Sequence, residues 1–197
     1  AITKKTKAIF VAHLIGFPAD IKKIKSVINN KKIILMEDCC ESQGAMINKK
    51  KIGNFGIGGS FSFYWGHHMS TIEGGMITTN NSKFYHTCLL KRSHGLAREL
   101  PIKEQKYYKK KYSKNYLKFL FLSSGYNLRS TEINAFLGLI MLKKINRWIQ
   151  IRNNNFKKFL SIQRKFHNEF LITNNKNISS FVLPFLMKNK LIKNKLE

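Results

Sequence analysis

Acidic residues are scarce in this chain. Its 197 residues hold 10 Asp and Glu against 36 Lys and Arg, a formal net charge of +26. Cysteine is nearly as scarce, with only Cys39, Cys40 and Cys88. An odd number of cysteines without CxxC spacing offers neither a disulfide framework nor a zinc-ligand pattern. Neighbouring side chains of an extended segment point to opposite faces, so Cys39 and Cys40 cannot easily share a metal. Reduced core cysteines and no metal are the expectation. Long apolar runs are missing too: the best, residues 117–122, falls far short of the ~20 residues a membrane span needs. The chain starts at Ala1 without the charged-then-apolar layout of a signal peptide. A soluble, cytoplasmic protein without a membrane partner is expected.

The basic excess is mostly lysine, 30 residues against six Arg, mixed with Asn and Ile as in Lys31-Lys32-Ile33. Nucleic-acid contacts favour patterned arginine. The mixture here is what an AT-rich coding sequence gives at tolerant surface positions, and no nucleic-acid partner is expected. At 43% hydrophobic and 12% aromatic the chain is no disordered tail. Its length suits one or two domains.

The first half alternates short apolar runs with helical stretches. AIFVA at 8–12 is apolar throughout, as a strand buried on both faces should be. An amphipathic helix is predicted over 19–28, with Ile21, Ile24 and Ile28 at helical spacing. Strands are predicted over 33–36, 60–64 and 76–79, and a helix capped within 80–82 runs to about Arg92. The Lys/Tyr run at 103–118 lacks clean periodicity and reads as a solvated loop, with an aromatic-basic nucleic-acid patch as the sharper alternative. A long helix starts at Ser130 or Thr131 and continues past Trp148, and FVLPFLM at 181–187 reads as a further strand. This order predicts an α/β fold with a mostly parallel sheet flanked by helices.

In such sheets ligands bind at the carboxyl ends of the strands. Three polar clusters fall there: 37–44 (EDCCESQG), 61–68 (FSFYWGHH) and 71–75 (TIEGG). Together they offer a carboxylate, a hydroxyl and a titratable imidazole.

HLIGFPAD (13–20), EDCCESQGA (37–45), FSFYWGHHMSTIEGG (61–75), RSHG (92–95) and GYNLRSTEINAFLGL (125–139) occur in that order. They resemble successive motifs of the DegT/DnrJ/StrS family of sugar aminotransferases, pyridoxal-phosphate (PLP) enzymes of fold type I. The resemblance is close over 1–150 and loose beyond. It implies PLP or pyridoxamine phosphate (PMP) as coenzyme, with Asp38 pairing with the pyridine nitrogen and Ser62 holding the phosphate. Glu41 stands where relatives often carry Gln near the ring. Asn127 matches an Asn that reaches the neighbouring subunit's phosphate, which implies a homodimer. The resemblance also places the start of the family's large domain upstream of Ala1 and the end of its small domain beyond Glu197. The chain is therefore expected to be part of a longer enzyme: 1–150 from the PLP-binding large domain, 151–197 a linker helix and the start of the small domain.

The departure is His67, where the family's aminotransferases have Lys. A lysine amine condenses with the coenzyme aldehyde; an imidazole cannot. No Lys lies between Lys51 and Lys83. The His-His pair followed by EGG is similar to the family's 3-dehydratases, which act on nucleotide-linked 4-keto-6-deoxy sugars through PMP. This implies His67 as the catalytic base, glutamate as amino donor and a role in deoxysugar or surface-glycan biosynthesis. His68 takes the structural part. A sugar aminotransferase and a non-catalytic family member are the alternatives.

Overall fold

The structure, a computed structural model, describes residues 1–29, 31–166 and 177–184. Strand β1 (Ala8–Ala12) leads through a turn into α1 (Ile21–Ile28). The Asp20 side chain caps α1 by accepting from the Lys23 backbone N–H at 2.9 Å, which satisfies a donor the first turn leaves free. Strand β2 (Ile34–Asp38) follows. A two-residue hairpin, β3 (Met46–Ile47) and β4 (Lys50–Lys51), turns through Asn48 and Lys49, both at positive φ. Strands β5 (Gly59–Ser62) and β6 (Gly75–Thr78) complete the main sheet.

The main sheet has the order β1-β2-β5-β6. β1–β2 and β2–β5 pair in parallel and β5–β6 antiparallel, so the parallel majority expected from the apolar runs is present with one reversed edge. Parallel pairing brings the carboxyl ends of β1, β2 and β5 to one edge, and the reversal of β6 brings its start, Gly75, beside Ser62.

Helix α2 (Ser82–Arg92) is capped by Asn81. The Lys/Tyr run is no loop: it folds into α3 (Ile102–Lys111) and α4 (Lys114–Leu117). Its Lys, Glu and Gln are good helix formers, and Gln105 Nε2 ties the first turn to the carbonyls of Leu100 (2.7 Å) and Arg98 (2.9 Å). The single long helix expected after Thr131 is two, α5 (Glu132–Leu142) and α6 (Ile145–Gln163), broken at Lys143-Lys144. α6 runs unbroken through residue 150.

The strand expected over 181–187 does not form over 181–184, where the backbone is irregular; 185–187 lie outside the described residues. Segment 177–181 instead crosses the loop after β1. Ser179 N–H donates to Gly16 O at 3.0 Å and Phe181 N–H to Ile15 O at 3.3 Å. Gly16 sits at φ +98°, and a Cβ there would lie 2.3 Å from Ser179 O, so only glycine admits this crossing.

Two apolar clusters hold these parts. Cys39, Ala45 and Ile52 pack beneath the sheet with Ile47 and Phe61. Phe156 and Leu160 of α6 pack with Ile178, Phe17 and Phe159, joining helix, crossing segment and loop. No helix among the described residues is long and apolar enough to cross a membrane.

Candidate functional site

The sheet register decides which strand-end residues share a face. Asp38 pairs with Ala12 on one side and Ser60 on the other, and Ser62 lies two residues beyond Ser60. Alternation along strands therefore puts Asp38, Ser60 and Ser62 on one face, with Glu37 and Phe61 on the other. On the Asp38 face Phe10 is 60% and Ile77 52% exposed, so this face is open among the described residues.

Asp38 accepts the Cys40 backbone N–H through Oδ1 at 3.0 Å, and its carboxylate also takes the Cys40 thiol as a side-chain hydrogen-bond partner. Ser62 Oγ accepts the Tyr64 N–H at 3.3 Å, which leaves the hydroxyl proton free to donate. Beyond Ser62 the chain turns, with His67 N–H donating to Tyr64 O at 3.1 Å. The turn presents His67 half-buried and His68 buried. No described group hydrogen-bonds either ring nitrogen of His67, and Nδ1 is the enclosed one, so Nε2 is open to a ligand. Asp38, Ser62 and His67 thus belong to one sheet edge.

Glu41 and Asn127 are placed differently. One Glu41 oxygen accepts the Ile15 N–H at 2.7 Å and buttresses a residue held at φ 48°. Asn127 is exposed; its backbone bridges to Ser93, and its side chain bonds to nothing at the Asp38 edge.

His68 is fixed as a neutral ring. The Ser179 hydroxyl donates to Gln43 O, so Ser179 Oγ and Ser179 O, each 3.1 Å from His68 Nε2, both accept, and Nε2 carries the proton. Burial first, then the Arg152 charge, pushes the His68 pKa down to about 4. Gln43 Nε2 in turn donates to Ser62 O at 2.6 Å, so a buried polar chain runs from His68 through Ser179 to the strand that carries Ser62.

Glu37 is the buried feature the sequence reading passed over. Its carboxylate accepts backbone N–H groups from Gly53 (2.8 Å), Phe55 (2.6 Å) and Gly56 (2.7 Å). His13 completes the set at 3.2 Å. Because His13 Nδ1 accepts the Ala19 N–H at 3.0 Å, Nε2 is the donor to Glu37. Burial raises the Glu37 pKa, but His13 and the three amides outweigh it and hold the carboxyl below its ordinary value. The Glu-Asp doublet closing an apolar run, followed by glycines at 53 and 56, is the signal that could have found it.

Of the three cysteines, Cys39 is a core residue, while Cys40 and Cys88 are half-buried. His13, Glu37 and Cys39 have donor atoms within 4.8 Å of one another, but the imidazole and carboxylate are already hydrogen-bonded. The Cys39 thiol is held protonated by burial and by the Glu37 and Asp38 charges. Burial, with Asp38 beside it, also lifts Cys40 to about 11.

Over residues 1–196 the sequence matches the DegT/DnrJ/EryC1/StrS aminotransferase family. The chain belongs to this family. It is 41% identical over 160 residues to GDP-4-keto-6-deoxy-D-mannose 3-dehydratase of Escherichia coli O55:H7, covering 81% of this chain and 41% of that protein. It is 32% identical over 171 residues to GDP-perosamine synthase of Escherichia coli O157:H7, covering 85% and 42%. Among solved structures, the Escherichia coli 3-dehydratase with bound hydrated PLP superposes with a TM-score of 0.84 at 34% identity, covering 96% of this chain and 49% of that one. A structure of GDP-4-keto-6-deoxymannose-3-dehydratase with a trapped PLP-glutamate geminal diamine gives 0.84 at 34% over the same shares. These neighbours make the fold that of type I PLP-dependent enzymes. The chain spans roughly two-fifths to one-half of the length of these relatives.

Proposed function

We propose that the protein is a PLP/PMP-dependent 3-dehydratase of a GDP-linked 4-keto-6-deoxy sugar, working in deoxysugar and surface-glycan biosynthesis in the cytoplasm. The observation that carries this reading is the open imidazole of His67 at the coenzyme edge, where the family's aminotransferases have lysine. The 41% identity to a protein of that activity supports it. The second reading, a sugar-nucleotide aminotransferase, rests on the 32% identity to a GDP-perosamine synthase.

The residues fit the coenzyme. The Asp38 carboxylate has acceptor capacity beyond its two Cys40 contacts, and Ser62 has an uncommitted hydroxyl proton, on one open face of the sheet. When bound, the coenzyme supplies an amine for the sugar ketone and a ring that takes up electrons. Asp38 keeps the proton on the ring nitrogen, since a carboxylate beside it favours the charged form. Ser62 donates to the phosphate. His67 Nε2 takes a proton and returns it; an imidazole with an unperturbed pKa of ~6.5 exchanges protons readily near neutral pH. His68 is pinned through its own Nε2 and takes no part in that traffic. Glu41 keeps one oxygen free to face the ring. Asn127, exposed on its own subunit, serves the phosphate of a second copy in a homodimer, and glutamate is the amino donor that reloads the coenzyme. In this reading residues 1–150 are part of the large domain, and 151–197 are the linker helix and the start of the small domain.

The chemistry has a direct chemical signature. After loading with PLP, removal of the unbound coenzyme and reduction with borohydride, the intact protein is expected to show no stoichiometric single-site coenzyme adduct by mass spectrometry, because the turn at 67 carries no amine. A stoichiometric coenzyme adduct mapped to one lysine would favour the aminotransferase reading instead.

A further inference from the structure

The segment that crosses the site carries an aromatic ring with no partner in the scheme above. Phe181 stacks on His67, with centroids 5.6 Å apart and planes at 26°, and on His68, at 5.3 Å and 30°. His67 needs such a support, since no described group hydrogen-bonds its ring nitrogens and the other ring recorded beside it, Tyr64, lies edge-to-face at 6.3 Å.

The segment is anchored on every side. Asn153 of α6 donates to Ile178 O at 2.8 Å and accepts the Ser180 N–H at 2.9 Å. Arg152 Nη1 holds Phe181 O at 3.3 Å, and Met46 N–H donates to Asn177 O at 2.9 Å. Ile178 is buried against Phe156 and Leu160.

We propose that Phe181 is a positioning residue: its ring, carried on the anchored 177–181 segment and backed by the Ser179-pinned ring of His68, sets the plane of His67 so that Nε2 faces the coenzyme edge. An imidazole without hydrogen bonds rotates freely unless packing stops it, and a misplacement of about 1 Å at a reacting group costs on the order of 10²-fold in rate. The proposal rests on His67 being the base.

The test is Phe181→Leu in the intact protein, with Phe181→Tyr as the conservative partner. Histidine-selective NMR of the coenzyme-free protein reads the ring, with signals assigned by their loss in His67→Asn and His68→Asn. Stacking places the His67 and His68 ring protons upfield. Phe181→Leu is expected to move both downfield and to lower kcat about 10- to 100-fold with KM little changed. Phe181→Tyr is expected to restore both, which a loss of folding in the leucine variant would not mimic. Unmoved His67 signals in Phe181→Leu, or a wild-type kcat, would overturn the proposal. Full dehydratase activity in His67→Asn would sink the assignment of the base instead, while the NMR signals would still report whether Phe181 holds the ring.

Discussion

His67→Asn is expected to lose C3 deoxygenation by about 10²- to 10⁴-fold in kcat, the usual contribution of a positioned general acid-base group. Asparagine is close to imidazole in size and polar at its tip, so the turn from Tyr64 to His67 should survive. What it lacks is a nitrogen that takes up and releases a proton near neutral pH. The phosphate and ring contacts assigned to Ser62 and Asp38 are untouched, so coenzyme absorbance should titrate as in the wild type. Loss of rate with retained coenzyme separates a chemical role from a binding one. The equivalent change at His68 should act on stability, because that ring is buried, neutral and committed to Ser179. A His67→Asn protein working within about tenfold of wild type would leave His67 without the role of base.

Glu37→Ala is expected to have the largest effect on the fold itself. It strands four donors, from Gly53, Phe55, Gly56 and His13, inside the protein. An orphaned buried donor costs about 1–3 kcal/mol, so the sum is about 4 kcal/mol or more against a typical total stability of about 5–15. Glu37→Gln keeps the shape but turns an NH₂ toward donors it cannot accept, and should cost about 2–4 kcal/mol. Denaturant midpoints of the two variants measure this, and a wild-type midpoint for Glu37→Gln would contradict it.

The same groups set the response to acid. His68 has a lowered folded value of about 4 against an ordinary 6.5, so the unfolded chain binds that proton first. Stability from this source is whole above pH 6.5 and is lost progressively down to about pH 4. Glu37, held below its ordinary 4.5, adds its own loss only as pH falls under that value. Glu37→Gln should therefore flatten the acid limb below pH 4.5 and leave the loss between 6.5 and 4 in place.

Strand β1 and the starts of α2 and α5 were legible because their signals are local. The apolar run at 8–12 does form a strand, but not one buried on both faces, since no β1 residue is buried and Phe10 is 60% exposed. Asn81 and Thr131 precede the helices they cap, whereas the helix expected from Ala19 begins only after its Asp20 cap. The Lys/Tyr run misled because exposed helices need no apolar stripe, and α3 is held by Gln105 rather than by a buried face. The β3–β4 hairpin was missed because Asn48-Lys49 lacks the usual glycine.

At the site, Asp38, Ser62 and His67 were read from ordered motifs; the sheet register puts Asp38 and Ser62 on one face, and His67 follows in the turn after β5. What stayed hidden depends on distant pairs. Ser179 meets His68 across 111 positions, and Glu37 gathers amides that no spacing rule announces. Glu41 shows the reverse case, a motif residue partly absorbed by a backbone contact to Ile15.

The most direct measurement is the carbon-3 position of the product. The intact protein, incubated with GDP-4-keto-6-deoxymannose, PLP and glutamate, is expected to yield a sugar whose C3 bears two hydrogens by NMR. A product with C3 hydroxylated and an amine at C4 would contradict the account and make the protein an aminotransferase.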